Sequence, residues 1–147
     1  MAEKTIAVFT PTYNRAYIIG RLYESLLAQT DQDFCWIVVD DGSTDDTETL
    51  IQGFAAEGRL EITYIKQANG GKQRAHNTGV AACGNELFFC VDSDDTLVPT
   101  AIEDILALWR TRRSDEGIAG VIAMRGHSST EPMGTWFPKG LETTTMW

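Results

Sequence analysis

The sequence lacks the features that mark three broad classes of protein. No apolar run approaches the ~20 residues that a membrane-spanning helix needs, and no apolar stretch follows a basic head at the N-terminus, as in a secretory signal. The 12 Lys and Arg against 21 Asp and Glu give a net charge of −9, which argues against nucleic-acid binding through a basic surface. These absences predict a cytoplasmic protein that binds no nucleic acid, although a longer parent chain would be free to carry a membrane anchor.

Cysteine and glycine motifs are scarce as well. The three cysteines are odd in number and form no C-x-x-C pair, and we expect Cys35 and Cys90, which lie in strand-like runs, to be reduced core residues. No G-x-G-x-x-G sequence is present, so binding of NAD or FAD is not expected. The glycine pair before Lys72 does not complete a P-loop, because Gln73 follows the lysine and no glycine stands at position 66.

The 147 residues do contain a regular alternation of short apolar runs and helical patterns. Strands are predicted at residues 5–10, 34–40, 60–66, 86–92 and 117–124. Helical patterns fill the intervals at residues 18–27, 50–54, 72–82 and 102–109, and Ser43 is the expected cap of the second helix. One α/β domain follows, with a Rossmann-like, mainly parallel sheet and helices on both faces.

Four polar segments each follow the carboxyl end of a predicted strand. They are TPTYNR at 10–15, DDGSTDD at 40–46, ANGGKQR at 68–74 and DSDD at 92–95. In an open α/β sheet, ligands bind at this edge. The sequence therefore predicts a single ligand site built from all four segments.

DSDD is open to three interpretations. A calcium loop fits the acidic spacing but needs glycine where Leu97 stands. A second interpretation is an acidic turn that caps the following helix. In the third, Asp92 and Asp94 share a divalent cation with the oxygens of a diphosphate.

The other three segments suggest recognition of a nucleotide. Asp40 and Asp41 stand where a carboxylate can accept a hydrogen bond from a base N–H or a ribose hydroxyl. Tyr13 offers a ring for stacking on a base, and Arg15 offers a cation for a phosphate. The two glycines and Lys72, at a helix start, would suit an anion cradle of backbone N–H groups.

In order and spacing, the motifs TPTYNR, VVDDGSTDDT, NGGKQRAHNTG and DSDD resemble the family 2 glycosyltransferases, which have the GT-A fold. The resemblance runs from about residue 5 to about residue 122. It implies an inverting transferase that takes a sugar from a nucleotide diphosphate donor, most often UDP, with Mg²⁺ or Mn²⁺ as the cofactor. The acceptor would be a hydroxyl of a carbohydrate or lipid-linked molecule.

The resemblance also implies roles for particular residues. Pro11, Tyr13 and Asp41 would border the base, Asp92 would lie toward the ribose and the cation, and Asp94 would be the cation ligand. The residues expected to bind the nucleotide sugar are Pro11, Thr12, Tyr13, Asn14, Arg15, Asp40, Asp41, Gly71, Lys72, Arg74, Asp92 and Ser93.

The sequence departs from the family in one respect. Family members carry their catalytic base, an Asp or Glu, well downstream of D-x-D, and here Glu131 and Glu142 are the acids of the final segment. We expect residues 1–124 to form the donor-binding core and residues 125–147 to begin an incomplete acceptor-side region, with the base beyond Trp147. Such a fragment would bind the donor without turnover, and uncovered apolar surface near Trp136, Phe137 and Trp147 would favour self-association.

Other classes remain open at this point. A nucleotidyltransferase uses a similar sheet and metal but has a Gly-rich loop after its first strand, whereas TPTYNR contains no glycine. A phosphoacceptor receiver domain would cluster its acids after strands one and three, but here they follow strands two and four. A sugar-nucleotide binding module without catalysis is compatible with all the motifs.

Overall fold

The computed structural model describes residues 4–128 and 130–134. Within them, strands and helices alternate as β1 (Ile6–Thr12), α1 (Ile19–Leu27), β2 (Phe34–Asp40), α2 (Thr47–Ala56), β3 (Ile62–Lys66), α3 (Lys72–Ala82), β4 (Leu87–Cys90) and α4 (Ala101–Arg112). None of the helices described in these residues is both long enough and apolar enough to cross a membrane.

The strands form a parallel sheet in the order β3-β2-β1-β4. β1 and β2 are buried along almost their whole length, because each has strands on both sides and helices on both faces. Alternate residues of these strands face the two layers. The predicted α/β Rossmann-like architecture is confirmed.

The larger core lies on one face of the sheet, where side chains of α1, α2 and α4 pack on the strands. Trp36, Tyr23 and Phe34 are its largest buried members. The other face is covered by α3, which packs closely on β1. A Cβ added at Gly79 would lie 2.3 Å from a ring carbon of Phe9, so this approach requires glycine.

β4 is less buried than β1 and β2. Leu87, Phe88 and Phe89 are half-buried and Cys90 is exposed. The reason is position, because β4 is the edge strand of the described sheet, and α3 packs over β1 and β2. The prediction of Cys90 as a core residue is therefore wrong, whereas that of Cys35 is confirmed.

The predicted fifth strand at residues 117–124 is absent from the described structure. The segment has no regular secondary structure, and its side chains are mainly exposed. Val121 packs on the larger core, but no described strand pairs with the segment, so its strand propensity finds no ladder to join. Trp136, Phe137, Glu142 and Trp147 lie outside the described residues.

Candidate functional site

A cleft of about 280 Å³ opens at the carboxyl ends of β1, β2 and β4, beside the first turn of α3. Its lining residues are Pro11, Thr12, Tyr13, Arg15, Asp41, Lys72, Ala75, Asp92, Ser93 and Asp94. All of these except Ala75 belong to the site expected from the sequence. The structure therefore brings the four polar segments together. The expected residues Asn14, Asp40, Gly71 and Arg74 are not among the lining residues.

Asp41, directly after β2, is held by three hydrogen bonds and is only 5% exposed. Its Oδ1 accepts from Gln67 Nε2 at 2.7 Å and Gly70 N at 3.0 Å, and its Oδ2 accepts from Gly71 N at 2.7 Å. Burial acts to raise the pKa of this carboxyl, but the hydrogen bonds outweigh burial and hold the pKa below its usual 3.8. Asp41 is thus a fixed, ionised acceptor.

These contacts change the interpretation of the two glycines before α3. The N–H groups of Gly70 and Gly71 do form an anion cradle, but the anion is the protein's own Asp41 carboxylate. These two amides are therefore not free for a phosphate. Arg74, whose guanidinium lies against Gly70, contributes a further favourable charge to Asp41.

Gln67 is a site-building residue that sequence reasoning missed. It donates to Asp41, and its Oε1 accepts from Thr78 Oγ1 at 2.7 Å, which fixes the amide between β3 and α3. Its backbone N–H also donates to the Asp40 carbonyl at 2.9 Å, next to the last pair of the β2–β3 ladder. The feature of the sequence that could have indicated this role is the position of Gln67, one residue after β3 and beside the acidic turn that follows β2.

Asp40 has internal partners instead of cleft contacts. It is fully buried, its Oδ1 accepts from Ser43 N at 2.8 Å, and its Oδ2 accepts from the Tyr64 hydroxyl. It shapes the turn at Gly42, whose φ is +84° and where a Cβ would lie 2.9 Å from Asn69 N. Both the angle and the space require glycine there.

Asn14 and Ser43 join the loop after β1 to the loop after β2. Asn14 N donates to Ser43 Oγ at 2.8 Å, and Asn14 Oδ1 accepts from Thr44 N at 2.8 Å. Asn14 has φ +52°, a left-handed conformation that asparagine tolerates. Ser43 therefore does not cap α2 as predicted. Asp46 is the N-cap residue, and it makes no side-chain cap hydrogen bond.

Tyr13 and Arg15 stand at the mouth of the cleft. Tyr13 is 48% exposed, so its ring is free to stack on a planar ligand. The Arg15 guanidinium donates to the Tyr17 hydroxyl and lies 5.9 Å from that ring's centroid. Arg15 is thus held beside the cleft by an exposed aromatic side chain.

The three carboxylates of DSDD have three different surroundings. Lys72 Nζ lies 2.7 Å from Asp92 Oδ1, and Arg125 lies within 3.0 Å of both Asp95 oxygens. The hydrogen bond to Asp92 raises the pKa of Lys72 above its usual 10.5. The side chain of Asp94 is exposed and makes no hydrogen bond or ion pair within residues 4–128 and 130–134.

The capping interpretation of DSDD is wrong. α4 begins at Ala101 and its N-cap residue is Thr100. The segment instead forms a local turn in which Asp95 N donates to the Asp92 carbonyl at 3.0 Å. Asp92 and Asp94 both line the cleft as a result.

The donor set of the cleft fits a divalent cation that brings ligands with it. Asp94 and the Oδ2 of Asp92 are hard oxygen donors. Within the described part of the chain, no group of three or more His, Cys, Asp or Glu residues is placed to hold a metal ion. Mg²⁺ and Mn²⁺ sites of this kind use one or two carboxylates and take further oxygens from phosphate and water.

Thr12 places a buried hydroxyl at the end of β1, between the two acidic turns. It is 3% exposed, and its Oγ1 has no hydrogen-bond partner among the described residues. Two residues earlier on the same face, Thr10 Oγ1 accepts from Trp36 Nε1 at 2.9 Å. The hydroxyl of Thr10, below the cleft, is therefore hydrogen-bonded, whereas the hydroxyl of Thr12, beside the cleft, has no partner among the described residues.

A larger depression of about 370 Å³ lies at the opposite edge of the sheet. It is lined by Lys4, Leu27, Gln32, Phe34, Arg59, Leu60 and Glu61. Among the described residues that line it, Glu61 is the only carboxylate, so this depression has no counterpart of the acidic pair. The candidate site is therefore distinguished by its cluster of charged groups and not by its size.

The fold is that of an α/β GT-A domain, and solved structures show the likeness. Residues 1–349 of TarS from Staphylococcus aureus, in complex with UDP-GlcNAc, match with a TM-score of 0.70 and 28% identity, over 74% of this chain and 32% of that one.

The chain belongs to glycosyl transferase family 2, whose sequence model matches residues 7–144. It is 39% identical over 98 residues to chondroitin synthase of Escherichia coli, covering 67% of this chain and 14% of that protein. It is also 32% identical over 139 residues to the poly(ribitol-phosphate) beta-N-acetylglucosaminyltransferase TarP of S. aureus, covering 93% and 42%. The chain spans less than half the length of these relatives.

Proposed function

We propose that this chain is the donor-binding part of a metal-dependent glycosyltransferase that uses a nucleotide diphosphate sugar, UDP being the nucleotide. The sugar would pass to an acceptor hydroxyl of a carbohydrate or lipid-linked molecule, with inversion at the anomeric carbon. One observation carries the proposal. A single cleft holds a fixed acceptor carboxylate, Asp41, on its β2 side and the acidic pair Asp92 and Asp94 on its β4 side.

The nucleobase of the donor is assigned to the Asp41 side of the cleft. A carboxylate oxygen accepts about two hydrogen bonds, and Oδ1 of Asp41 already accepts two, whereas Oδ2 accepts one. The remaining position suits a base that presents an N–H, such as the N3–H of uracil. Cytosine presents an acceptor at the same ring position, so UDP is favoured over CDP. Tyr13 would stack on the ring, and the UDP-GlcNAc named for the TarS structure supports the same nucleotide.

The diphosphate is assigned to the β4 side. Asp92 and Asp94 would hold Mg²⁺ or Mn²⁺, which would supply positive charge to the departing nucleoside diphosphate. Lys72 and Arg15 are the cations that line this cleft. Without them and the divalent cation, three lining carboxylates would repel the ligand.

The catalytic base is not assigned to the cleft. Among the described residues, Asp41, Asp92 and Asp94 are the carboxylates that line it, and each is proposed to hold the donor. Asp95 pairs with Arg125, and Glu131 is exposed. None of these described residues is therefore assigned as the base. We assign donor binding to residues 1–124 and place the acceptor side from residue 125 onward, and we propose that this chain alone binds the donor and does not transfer sugar.

Thermal unfolding with and without ligand tests the proposal. UDP should raise the melting temperature by several degrees at about 100 times its Kd, where ligand binding adds about 2.7 kcal/mol. The increment should be larger with Mn²⁺ than without it, and Asp94→Ala should abolish the Mn²⁺-dependent part while leaving the unliganded protein equally stable.

The matched control is Asp115→Ala, which removes an exposed carboxylate near the end of α4, outside the cleft. This variant should retain the full increment. A Mn²⁺-dependent increment that survives in Asp94→Ala would contradict the cation assignment. No response of the unmodified protein to UDP, with or without Mn²⁺, would contradict the proposed function itself.

A further inference from the structure

Lys72 lies where the cleft would have to hold a cation. It is the first residue of α3, and its Nζ is 2.7 Å from Oδ1 of Asp92. The lysine side chain is 65% exposed and that of Asp92 is 32% exposed. The ion pair therefore lies at the cleft surface, where its partners are free to exchange.

The cleft offers a cation few other ligands. Asp94 is the second carboxylate of the pair, and the described residues contain no third metal-binding side chain beside it. A divalent ion that enters alone meets a site in which one of two carboxylates already binds an ammonium group. Since sites with one or two carboxylates take their remaining oxygens from phosphate and water, such a site should hold the bare ion weakly.

We infer that Lys72 couples cation binding to diphosphate binding: its ammonium occupies Asp92 in the free protein and moves to the diphosphate when a nucleotide enters. The inference rests on the proposed function, which supplies the diphosphate. Lysine suits this exchange, because its long stem and compact charge let one ammonium serve either partner. The bound nucleotide thus frees Asp92 for the cation and adds phosphate oxygens as ligands.

Removing Lys72 should therefore change the affinities for Mn²⁺ alone and for UDP alone in opposite directions. Without Lys72, bare Mn²⁺ should bind more tightly, because nothing has to leave Asp92. UDP without metal should bind more weakly, because the phosphate loses a cation. When both ligands are present, each improves the binding of the other by the same factor. Part of that coupling factor comes from the displacement of Lys72 from Asp92 by UDP, so the factor should be smaller in a variant without Lys72.

The experiment measures Mn²⁺ binding by electron paramagnetic resonance, with and without saturating UDP, for the unmodified chain, Lys72→Met and Lys66→Met. Lys66 provides the matched control. Its Nζ lies 2.6 Å from Glu48 Oε2 and both side chains are partly exposed, but the pair is outside the cleft lining. Both variants remove one positive charge, so the effect of net charge cancels in the comparison.

We expect Lys72→Met to bind bare Mn²⁺ about threefold more tightly than Lys66→Met, the size expected for release of an exposed ion pair. We expect its Mn²⁺–UDP coupling factor to fall by a similar amount, and Lys72→Gln to behave in the same way. Equal bare Mn²⁺ affinities in Lys72→Met and Lys66→Met, or an unchanged coupling factor, would overturn the inference. If UDP fails to bind the unmodified chain at all, the proposed function fails, and the bare Mn²⁺ comparison still decides whether Lys72 competes for the carboxylate.

Discussion

Asp41 and Asp92 stand on either side of β1, each just past the end of a flanking strand, yet their surroundings differ. Asp41 is almost fully buried and accepts hydrogen bonds from two backbone amides and a side chain that is itself fixed by Thr78. Asp92 is part-exposed and pairs with one flexible lysine. The β2 side of the cleft is thus assembled by the protein itself, whereas the β4 side is held by an exchangeable contact.

This difference matches the two tasks in the proposed function. Reading a base requires an acceptor whose position and charge do not change on binding, because preorganised polar groups need no further ordering. Holding a metal and diphosphate requires carboxylates that accept new partners. We expect variants on the β2 side to change both folding and binding, and variants on the β4 side to change binding alone.

The largest expected effect on stability is that of Asp41→Asn. It places an amide N–H₂ among the donors of Gln67, Gly70 and Gly71, so at least one buried donor loses its acceptor. Hydrogen bonds to charged groups contribute about 1.5–3 kcal/mol each, and we expect the free energy of unfolding to fall by about 3 kcal/mol in urea denaturation at pH 7. Asp46→Asn, an exposed carboxylate at the start of α2, should lose less than about 1 kcal/mol.

This loss should depend on pH with a defined sign. The folded-state pKa of Asp41 lies below its usual 3.8, so its contribution is present in full above that value and is lost as the pH falls through the folded pKa. The difference in unfolding free energy between the unmodified protein and Asp41→Asn should be constant from about pH 7 to about pH 5. It should shrink below about pH 3.8. A difference that grew on acidification would contradict the assignment of Asp41 as an ionised acceptor.

Smaller effects on stability are expected for variants of β1, which lies between the β2 side and the β4 side of the cleft. Thr10→Val removes the acceptor of the fully buried Trp36 indole N–H and should lower the free energy of unfolding by about 1–3 kcal/mol. Thr12→Val keeps the shape but removes a buried hydroxyl without a described partner, so stability should stay equal or rise by up to about 1 kcal/mol. Thermal unfolding of the two variants checks this contrast, and equal losses in both would show that Thr12 is also hydrogen-bonded in solution.

Most of the fold could be predicted from the pattern of apolar residues. Four strands and four helices occur where alternation and helical spacing indicated, because β1 and β2 are buried on both faces and their helices carry one apolar stripe. The failures concern the edge strand β4 and the segment that follows α4. Cys90 and residues 117–124 have suitable local sequence, but burial and strand pairing depend on which neighbours are present, and local sequence does not determine that.

The grouping of the candidate site residues in one cleft could be predicted, but their internal contacts could not. Strand ends brought Asp41, Lys72, Asp92 and Asp94 to one cleft, as parallel topology requires. The sequence could not show that Gly70 and Gly71 bind Asp41, that Gln67 fixes it, or that Lys72 reaches Asp92. These contacts join residues about 20 to 30 positions apart, and they depend on loop geometry that spacing along the chain does not encode.

The central claim is that one cleft binds the base at Asp41 and the metal-bound diphosphate at Asp94, and calorimetric titration of uridine and of UDP with Mn²⁺ tests it most directly. Asp41→Asn, measured at a temperature where it is folded, should weaken uridine and UDP by a similar factor of about ten or more, the equivalent of one hydrogen bond to a charged group. Asp94→Ala should weaken UDP with Mn²⁺ and leave uridine unchanged. If the two variants instead weaken both ligands alike, or if neither ligand responds to either change, the division of the cleft into a base side and a diphosphate side is contradicted.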